Sequence, residues 1–340
     1  MKYMTLKENL LKALNGEAVE KVPCVSVTQT GTVELMDAVN APWPESQSDA
    51  KMMADLAIAA HEIAGLEAVR VPYCLTVLAE AMGCEINMGT KNRQPSVIAH
   101  PYEKPEMLDA ATKPDLKTAG RIPAVIEAIK MVRERVGPDV PIIGGMEGPI
   151  TLASDLVSVK SYMKWSIKNP DALAQANAFA NEAAIEYANL MVEAGADVIC
   201  IADPVSSPDL MSPQDFHDKL MGTITEFADK VNAPVVLHVC GNVTAILNDM
   251  ADCHCKGLSV EEKVEDVKGA VDLTKGRAVM VGNVSSPFVL LSGDEEKVTE
   301  AVNNALDSGV AVLAPGCGIA PMTPTANIKA MIAARDKYYQ

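Results

Sequence analysis

PVVLHVC, residues 234–240, is a short β-rich apolar run that ends in a histidine and a cysteine. Seven other runs along the chain have the same make: 22–29 (VPCVSVTQ), 68–74 (AVRVPYC), 141–147 (PIIGGME), 197–203 (DVICIAD), 257–262 (GLSVEE), 278–283 (AVMVGN) and 310–315 (VAVLAP). Between them lie polar turns and helix-length segments such as 170–195, 215–231 and 295–309, several of which end at glycine, where a left-handed C-cap is expected. Strands that are apolar almost throughout are buried on both faces, which indicates a parallel sheet covered by helices. Eight such units predict an α/β fold, a (β/α)8 TIM barrel, as a single domain over 1–340.

Two additions to the barrel are expected. Thr5-x-x-Glu8 is a capping box that opens an N-terminal helix over 6–15. An insertion after the second strand, roughly 85–120, carries Asn92, Arg93, Gln94 and Pro95 and reads as loop or lid.

Reaction sites in such barrels lie at the C-terminal ends of the strands. Gln29, Tyr73, Glu147, Asp203, His238, Cys240, Glu261, Asn283 and Cys317 all fall at or just past those ends. Strand side chains alternate with period two, so His238 and Cys240 share a face. Cys317 stands in a Gly-Cys-Gly turn after the last run, and the fold must bring it to them. One imidazole and two thiolates suit zinc, and three protein ligands with no obvious fourth is the count of an open, catalytic site. A buried histidine and two inert core cysteines is the plainer alternative.

At 340 residues with 49% hydrophobic content the chain can bury a large core, yet aromatics make up only 4%. Packing therefore rests on Ala, Val, Leu, Ile and 18 Met. The formal net charge of −16 argues against nucleic acid or an anionic membrane surface as partner. No basic segment followed by an apolar one opens the chain, and no apolar stretch is long enough to span a bilayer. The eight cysteines then read as reduced thiols, and the expected location is the cytoplasm.

Two motifs compete with this picture. Asp252-Cys253-His254-Cys255-Lys256-Gly257 fits D-x-H-x-x-G, a pattern of cobalamin-binding proteins, but it precedes a strand and so belongs at the N-terminal face. Its Cys-His-Cys triplet reads as an oxidation-sensitive loop rather than a metal site. His61, His100 and His217 read as surface or packing residues.

Gly195-Ala196-Asp197, Ile201-Ala202-Asp203 and Ser212-Pro213-x-x-Phe216 resemble the fourth-strand region of the uroporphyrinogen decarboxylase superfamily. Pro23, Gly148-Pro149-x-Thr151 and Gly282-Asn283 fit it too, and the resemblance spans essentially the whole chain. Decarboxylases of that superfamily carry two arginines after the first strand to bind substrate carboxylates; here Thr28 and Thr32 stand in their places. His238-x-Cys240 and the late Cys317 resemble instead its zinc branch, the methylcobamide:coenzyme M methyltransferases. Val27-Thr28-Gln29-Thr30-Gly31, the stretch 154–161 (SDLVSVKS) and Ala320-Pro321-Met322-Thr323-Pro324 look closest to the methanol-type enzymes.

That resemblance implies zinc as cofactor, with coenzyme M and a methylated corrinoid protein as partners. A fourth zinc ligand displaced by the incoming thiol is then expected. Glu261 is the candidate, Glu262 or a water the alternatives. Asp203 and Tyr73 are expected to line the pocket or orient neighbouring groups, with a purely structural role the alternative for each, and Arg70, Arg93 or a helix N-terminus to receive the sulfonate. The rival readings are a uroporphyrinogen decarboxylase-like lyase, a methylamine-pathway methyltransferase, and a corrinoid carrier using His254.

Overall fold

The computed structural model describes residues 4–340. Its strands are β1 (Val69–Val71), β2 (Glu85–Asn87), β3 (Ser96–Ala99), β4 (Ile142–Glu147), β5 (Val198–Ala202), β6 (Val235–His238), β7 (Gly257–Ser259), β8 (Val279–Val284) and β9 (Val312–Pro315). Seven of them form one parallel sheet in the order β1-β4-β5-β6-β7-β8-β9. Consecutive parallel neighbours joined by helices curl this sheet into the expected barrel.

The eighth expected strand, 22–29, is reduced to a single parallel bridge between Cys24 and Leu313. It still closes the sheet. Val25 N–H donates to the Leu313 carbonyl at 3.0 Å, Leu313 N–H to Pro23 at 3.0 Å, and Glu67 N–H to Cys24 at 3.0 Å. Pro23 has no N–H to extend the ladder, and the Ser26 hydroxyl turns back to the Thr28 carbonyl at 3.2 Å, so regular pairing stops after one step.

Period-two alternation sorts the strand residues into two apolar clusters. Val69, Val71, Ile142, Met146, Ile199, Ile201, Val235, Leu237, Leu258, Met280 and Leu313 face the helices. Val25, Val27, Ala68, Ile143, Val198, Cys200, Val236, Val281, Val312 and Ala314 fill the barrel interior. Each large aliphatic side chain so buried contributes about 1.5–3 kcal/mol.

The N-terminal helix Leu6–Leu14 opens with both bonds of the capping box, Glu8 N–H to Thr5 Oγ1 at 3.1 Å and Thr5 N–H to Glu8 Oε2 at 2.9 Å. Its Leu10, Ala13 and Leu14 join the interior cluster and floor the barrel at the end opposite the strand termini.

The insertion is more ordered than a lid. β2 and β3 pair antiparallel in a hairpin whose tip is tied by Thr90 N–H to the Arg93 carbonyl at 2.9 Å. Its base is fastened to helix Pro149–Val157, where the Asp155 carbonyl receives the Cys84 thiol at 3.3 Å and lies 2.6 Å from His100 Nδ1. No helix among the described residues is long and apolar enough to cross a membrane.

Candidate metal centre

Alternation along β6 turns Val235, Leu237 and Val239 outward and leaves Val236, His238 and Cys240 facing in. His238 is the last residue of β6 and is 1% exposed; Cys240 follows two residues later. In the parallel register His238 stands opposite Ser259 of β7, and Ser259 Oγ lies 3.1 Å from His238 Nδ1. With Nδ1 engaged there, Nε2 is directed at Cys240, 3.3 Å from its sulfur.

Cys317 reaches the same point from the turn after β9. Its Sγ is 3.9 Å from Cys240 Sγ, and the Ser286 hydroxyl holds its carbonyl at 3.0 Å. Gly316 makes the close approach possible: a Cβ there would lie 3.1 Å from Glu261 Cα. On the other side the backbone of Gln29 accepts the Ile319 N–H at 2.9 Å, which ties this turn to the irregular first segment.

Glu261 completes the group. It sits two residues past β7 rather than on the strand, because the regular ladder ends at Ser259. The ligand atoms of His238, Cys240, Glu261 and Cys317 all lie within 4.8 Å of one another. The Glu261 side chain is 13% exposed, with Oε2 3.4 Å from the Lys263 ammonium at the mouth.

The electrostatics of this group call for a cation. The hydrogen bond from Cys240 pulls the Cys317 thiol well below its usual value, burial opposes that, and His238 adds to the lowering. Cys240 is driven the other way by donating that bond, by burial, and by the charges of Cys317 and Glu261. One thiolate forms readily and the second is resisted. A cation among these donors would favour the second thiolate, so the donor set fits a divalent metal.

Comparison with known proteins is consistent with this geometry. The family model described as Uroporphyrinogen decarboxylase (URO-D) matches residues 5–338. The chain is 64% identical over 340 residues to "Methylcobamide:CoM methyltransferase MtaA" of Methanosarcina barkeri, all of both chains being covered. It is 38% identical over 342 residues to "Methylcobamide:CoM methyltransferase MtbA" of Methanosarcina acetivorans, with 99% of each covered.

The chain belongs to the methylcobamide:CoM methyltransferases of the uroporphyrinogen decarboxylase family. A solved structure, "methyltransferase from Methanosarcina mazei", superposes with a TM-score of 0.98 at 63% identity, covering 99% of this chain and 100% of that one.

For a methylcobamide:CoM methyltransferase, several strand-end residues turn out to do structural work. Asp203, expected at the pocket, is fully buried and accepts from Thr151 N–H at 2.6 Å and Ile150 N–H at 3.4 Å, so it caps helix Pro149–Val157. Burial pushes its carboxyl up to about 6 against the pull of those bonds. Tyr73 donates to the Met53 carbonyl at 2.6 Å and packs against Trp43, with ring centroids 5.8 Å apart. Neither joins the donor group. Glu262 is not one of the grouped donors, and its carboxylate lies against Gly316. Thr32 caps helix Val33–Val39 by accepting from Leu35 N–H at 3.4 Å.

The Asp252–Gly257 motif lies at the N-terminal end of β7, remote from the strand ends. The His254 side chain is 61% exposed with Nδ1 2.8 Å from Asp229. Cys253 and Cys255 are fully buried, and burial pushes the Cys253 thiol up to about 12. The expected sensitivity to oxidation is therefore corrected: a buried, protonated thiol is a poor nucleophile. A cavity of about 610 Å³ also opens at this end, between Asn15, Lys256 and Arg277, and contains none of the four donors. Ser259 escaped the sequence reading. Its signal is the register that pairs Ser259 of β7 with His238 of β6, two residues before Glu261 and Cys240.

Proposed function

We propose that this chain transfers a methyl group from the methylated corrinoid of a partner protein to the thiol of coenzyme M, using zinc held by His238, Cys240 and Cys317. The convergence of two cysteines, a histidine and a glutamate at the mouth of the barrel carries this reading. Zinc would supply a Lewis acid that keeps the sulfur of coenzyme M deprotonated at neutral pH.

The side chains divide the remaining work. Ser259 fixes the His238 ring so that Nε2 faces the thiolates. Cys240 and Cys317 bring two negative charges, which with a neutral imidazole cancel a dipositive ion. A donor set that already balances the ion would leave the substrate sulfur electron-rich. Three histidines would favour activation of water instead.

Glu261 would serve as the fourth donor, exchangeable for the substrate thiol, and its carboxylate beside Lys263 is placed to take the thiol proton. The coenzyme M sulfur attacks the methyl carbon, the cobalt–carbon bond breaks, and its electron pair stays on cobalt.

A decarboxylase reading is weakened by Thr28 and Thr32, which offer no guanidinium for substrate carboxylates. Metal analysis and a visible spectrum of the purified protein test the proposal together. One zinc per chain and no corrinoid colour is the expected result. A metal-free protein with undiminished methyl transfer, or one carrying bound corrinoid, would overturn it. The methanol branch is favoured by the 64% identity to MtaA against 38% to MtbA. Comparing kcat/KM with the methyl-corrinoid proteins of the two pathways decides between them.

A further inference from the structure

The seam of the barrel, between the first segment and β9, is closed at the mouth by one residue. Val25 N–H pairs with the Leu313 carbonyl, but towards the mouth the β9 residue next due to donate is Pro315, which has no N–H. Among the described residues the next backbone bond across the seam is Ile319 N–H to the Gln29 carbonyl at 2.9 Å. The Gln29 side chain adds the reciprocal bond, its Nε2 donating to the Ile319 carbonyl. Both polar groups of the Ile319 backbone thus go to Gln29, and Ile319 is two residues from Cys317.

The Gln29 amide is itself fixed. The residue is 4% exposed; its Oε1 accepts from Gly31 N–H at 2.5 Å, and Nε2 also reaches the Gly31 carbonyl at 3.2 Å. Trp43 packs on Gly31, where a Cβ would lie 2.7 Å from the indole ring. The turn makes room for this side chain at Gly318, where a Cβ would lie 3.1 Å from Gln29 Cγ, as it makes room for Glu261 at Gly316. Gly-Cys-Gly is therefore the imprint of two neighbours, with Cys317 between them. Gln29 is not one of the grouped donors.

We propose that Gln29 positions the Cys317 thiol: its amide stands in for the missing ladder and holds that sulfur opposite Cys240. The consequence for metal binding rests on the function proposed above. Cys240 directly follows β6 and is placed by the sheet, whereas Cys317 rides on a turn. Ser286 grips that turn at the Cys317 carbonyl, at 3.0 Å, and Gln29 grips it at Ile319. With the second grip released, the 3.9 Å spacing of the sulfurs is no longer set. Metal binding must then order the turn as well, which weakens it.

Gln29→Met keeps the side-chain length and removes its hydrogen bonds. Gln29→Glu keeps the acceptor for Gly31 N–H and removes the donor to Ile319. Each is tested with two probes: zinc, by competition with a chelator, and cobalt(II), whose visible spectrum reports thiolate ligation and geometry. Both variants are expected to keep the circular dichroism of wild type, hold zinc about 10- to 100-fold more weakly, and show altered cobalt bands. Ser26→Ala frees the Thr28 carbonyl and so loosens the same segment without touching the turn. It should lower the melting temperature and leave zinc affinity and cobalt spectrum as in wild type. A third measurement needs no metal. Six of the cysteines are buried, so with Cys240→Ser the thiol left to react with iodoacetamide is Cys317. It should react several-fold faster once Gln29→Met is added. That result in a protein taking up neither metal would sink the metal assignment and uphold the positioning role. Should Gln29→Met not fold, Gln29→Glu carries the same measurements. Zinc affinity, cobalt spectrum and alkylation rate all unchanged in the folded variants, with or without a lowered melting temperature, would overturn the proposal.

Discussion

Cys240 and Cys317 stand 77 positions apart in the chain, yet their sulfur atoms lie 3.9 Å apart at the mouth of the barrel. The segment just after β6 supplies one and the turn after β9 the other, so no local segment can assemble the pair. Removing either should abolish the metal site without unfolding a barrel whose core lies in other layers. Cys317→Ala is expected to lose stoichiometric metal and methyl transfer together while keeping its circular dichroism. Full zinc and full activity in this variant would refute the metal centre.

Ser259 reaches the metal centre only through His238. Ser259→Ala removes the hydroxyl 3.1 Å from Nδ1 and should weaken metal binding about 10- to 100-fold. Ser259→Thr keeps the hydroxyl and should restore most of it. Competition with a chelator of known affinity reads the difference without an activity assay. Equal affinity in the Ala variant and wild type would mean that the hydroxyl does not position the ring.

The acids behind β4 and β5 make stability depend on pH. Burial pushes Asp155 from 3.8 up to about 8, and Glu147 and Asp203 add to the rise. A carboxyl raised in the folded state stabilises fully below its unfolded pKa, and that contribution is lost as pH climbs through the folded value. Each unit of the window from about 4 to about 8 is worth at most about 1.4 kcal/mol. Asp155→Asn removes the titration, so its melting temperature should gain on wild type between pH 5 and pH 8. A constant difference across that range would rule Asp155 out as the source.

His254 pairs with Asp229 at the opposite face. His254→Ala should change methyl transfer by less than about twofold, as expected of a surface residue away from the site. A loss as large as that of Cys317→Ala, with folding intact, would revive the corrinoid-ligand reading.

Binding of coenzyme M as thiolate must release close to one proton per site at neutral pH, since a free thiol is mostly protonated there. Release should shrink as pH passes the thiol's own pKa. Where Glu261 captures part of the proton, Glu261→Gln returns it to solvent. Calorimetry in buffers of differing ionisation enthalpy counts the protons. A count near zero for both proteins is incompatible with thiolate binding.

His238 and Cys240 could be read from the sequence because period two is rigid: one residue between them puts both on the inner face. Cys317 could be read as a thiol in a turn at a strand end. Asp203 and Tyr73 occupy equivalent positions, and the sequence leaves open whether each serves the pocket or the fold, because strand ends must also cap helices and fill the layer beneath the loops. Which task such a residue takes depends on the nearest unsatisfied donor, and for Asp203 that is the start of helix Pro149–Val157. The hairpin of β2 and β3 was hidden because its strands are half-exposed and lack a clear apolar face. The burial of Cys253 and Cys255 was hidden by the polar residues around them.

Leu10, Ala13 and Leu14 make the barrel a cul-de-sac, and a cul-de-sac imposes a timetable. Both reactants of the proposed transfer would share the one doorway at the strand ends, where the four donors lie. On the proposed function, coenzyme M would enter before the corrinoid protein docks, and methylated coenzyme M would leave after that protein has stepped away. Turnover would then be compulsory-ordered, and an excess of corrinoid protein is expected to slow it by keeping the doorway shut.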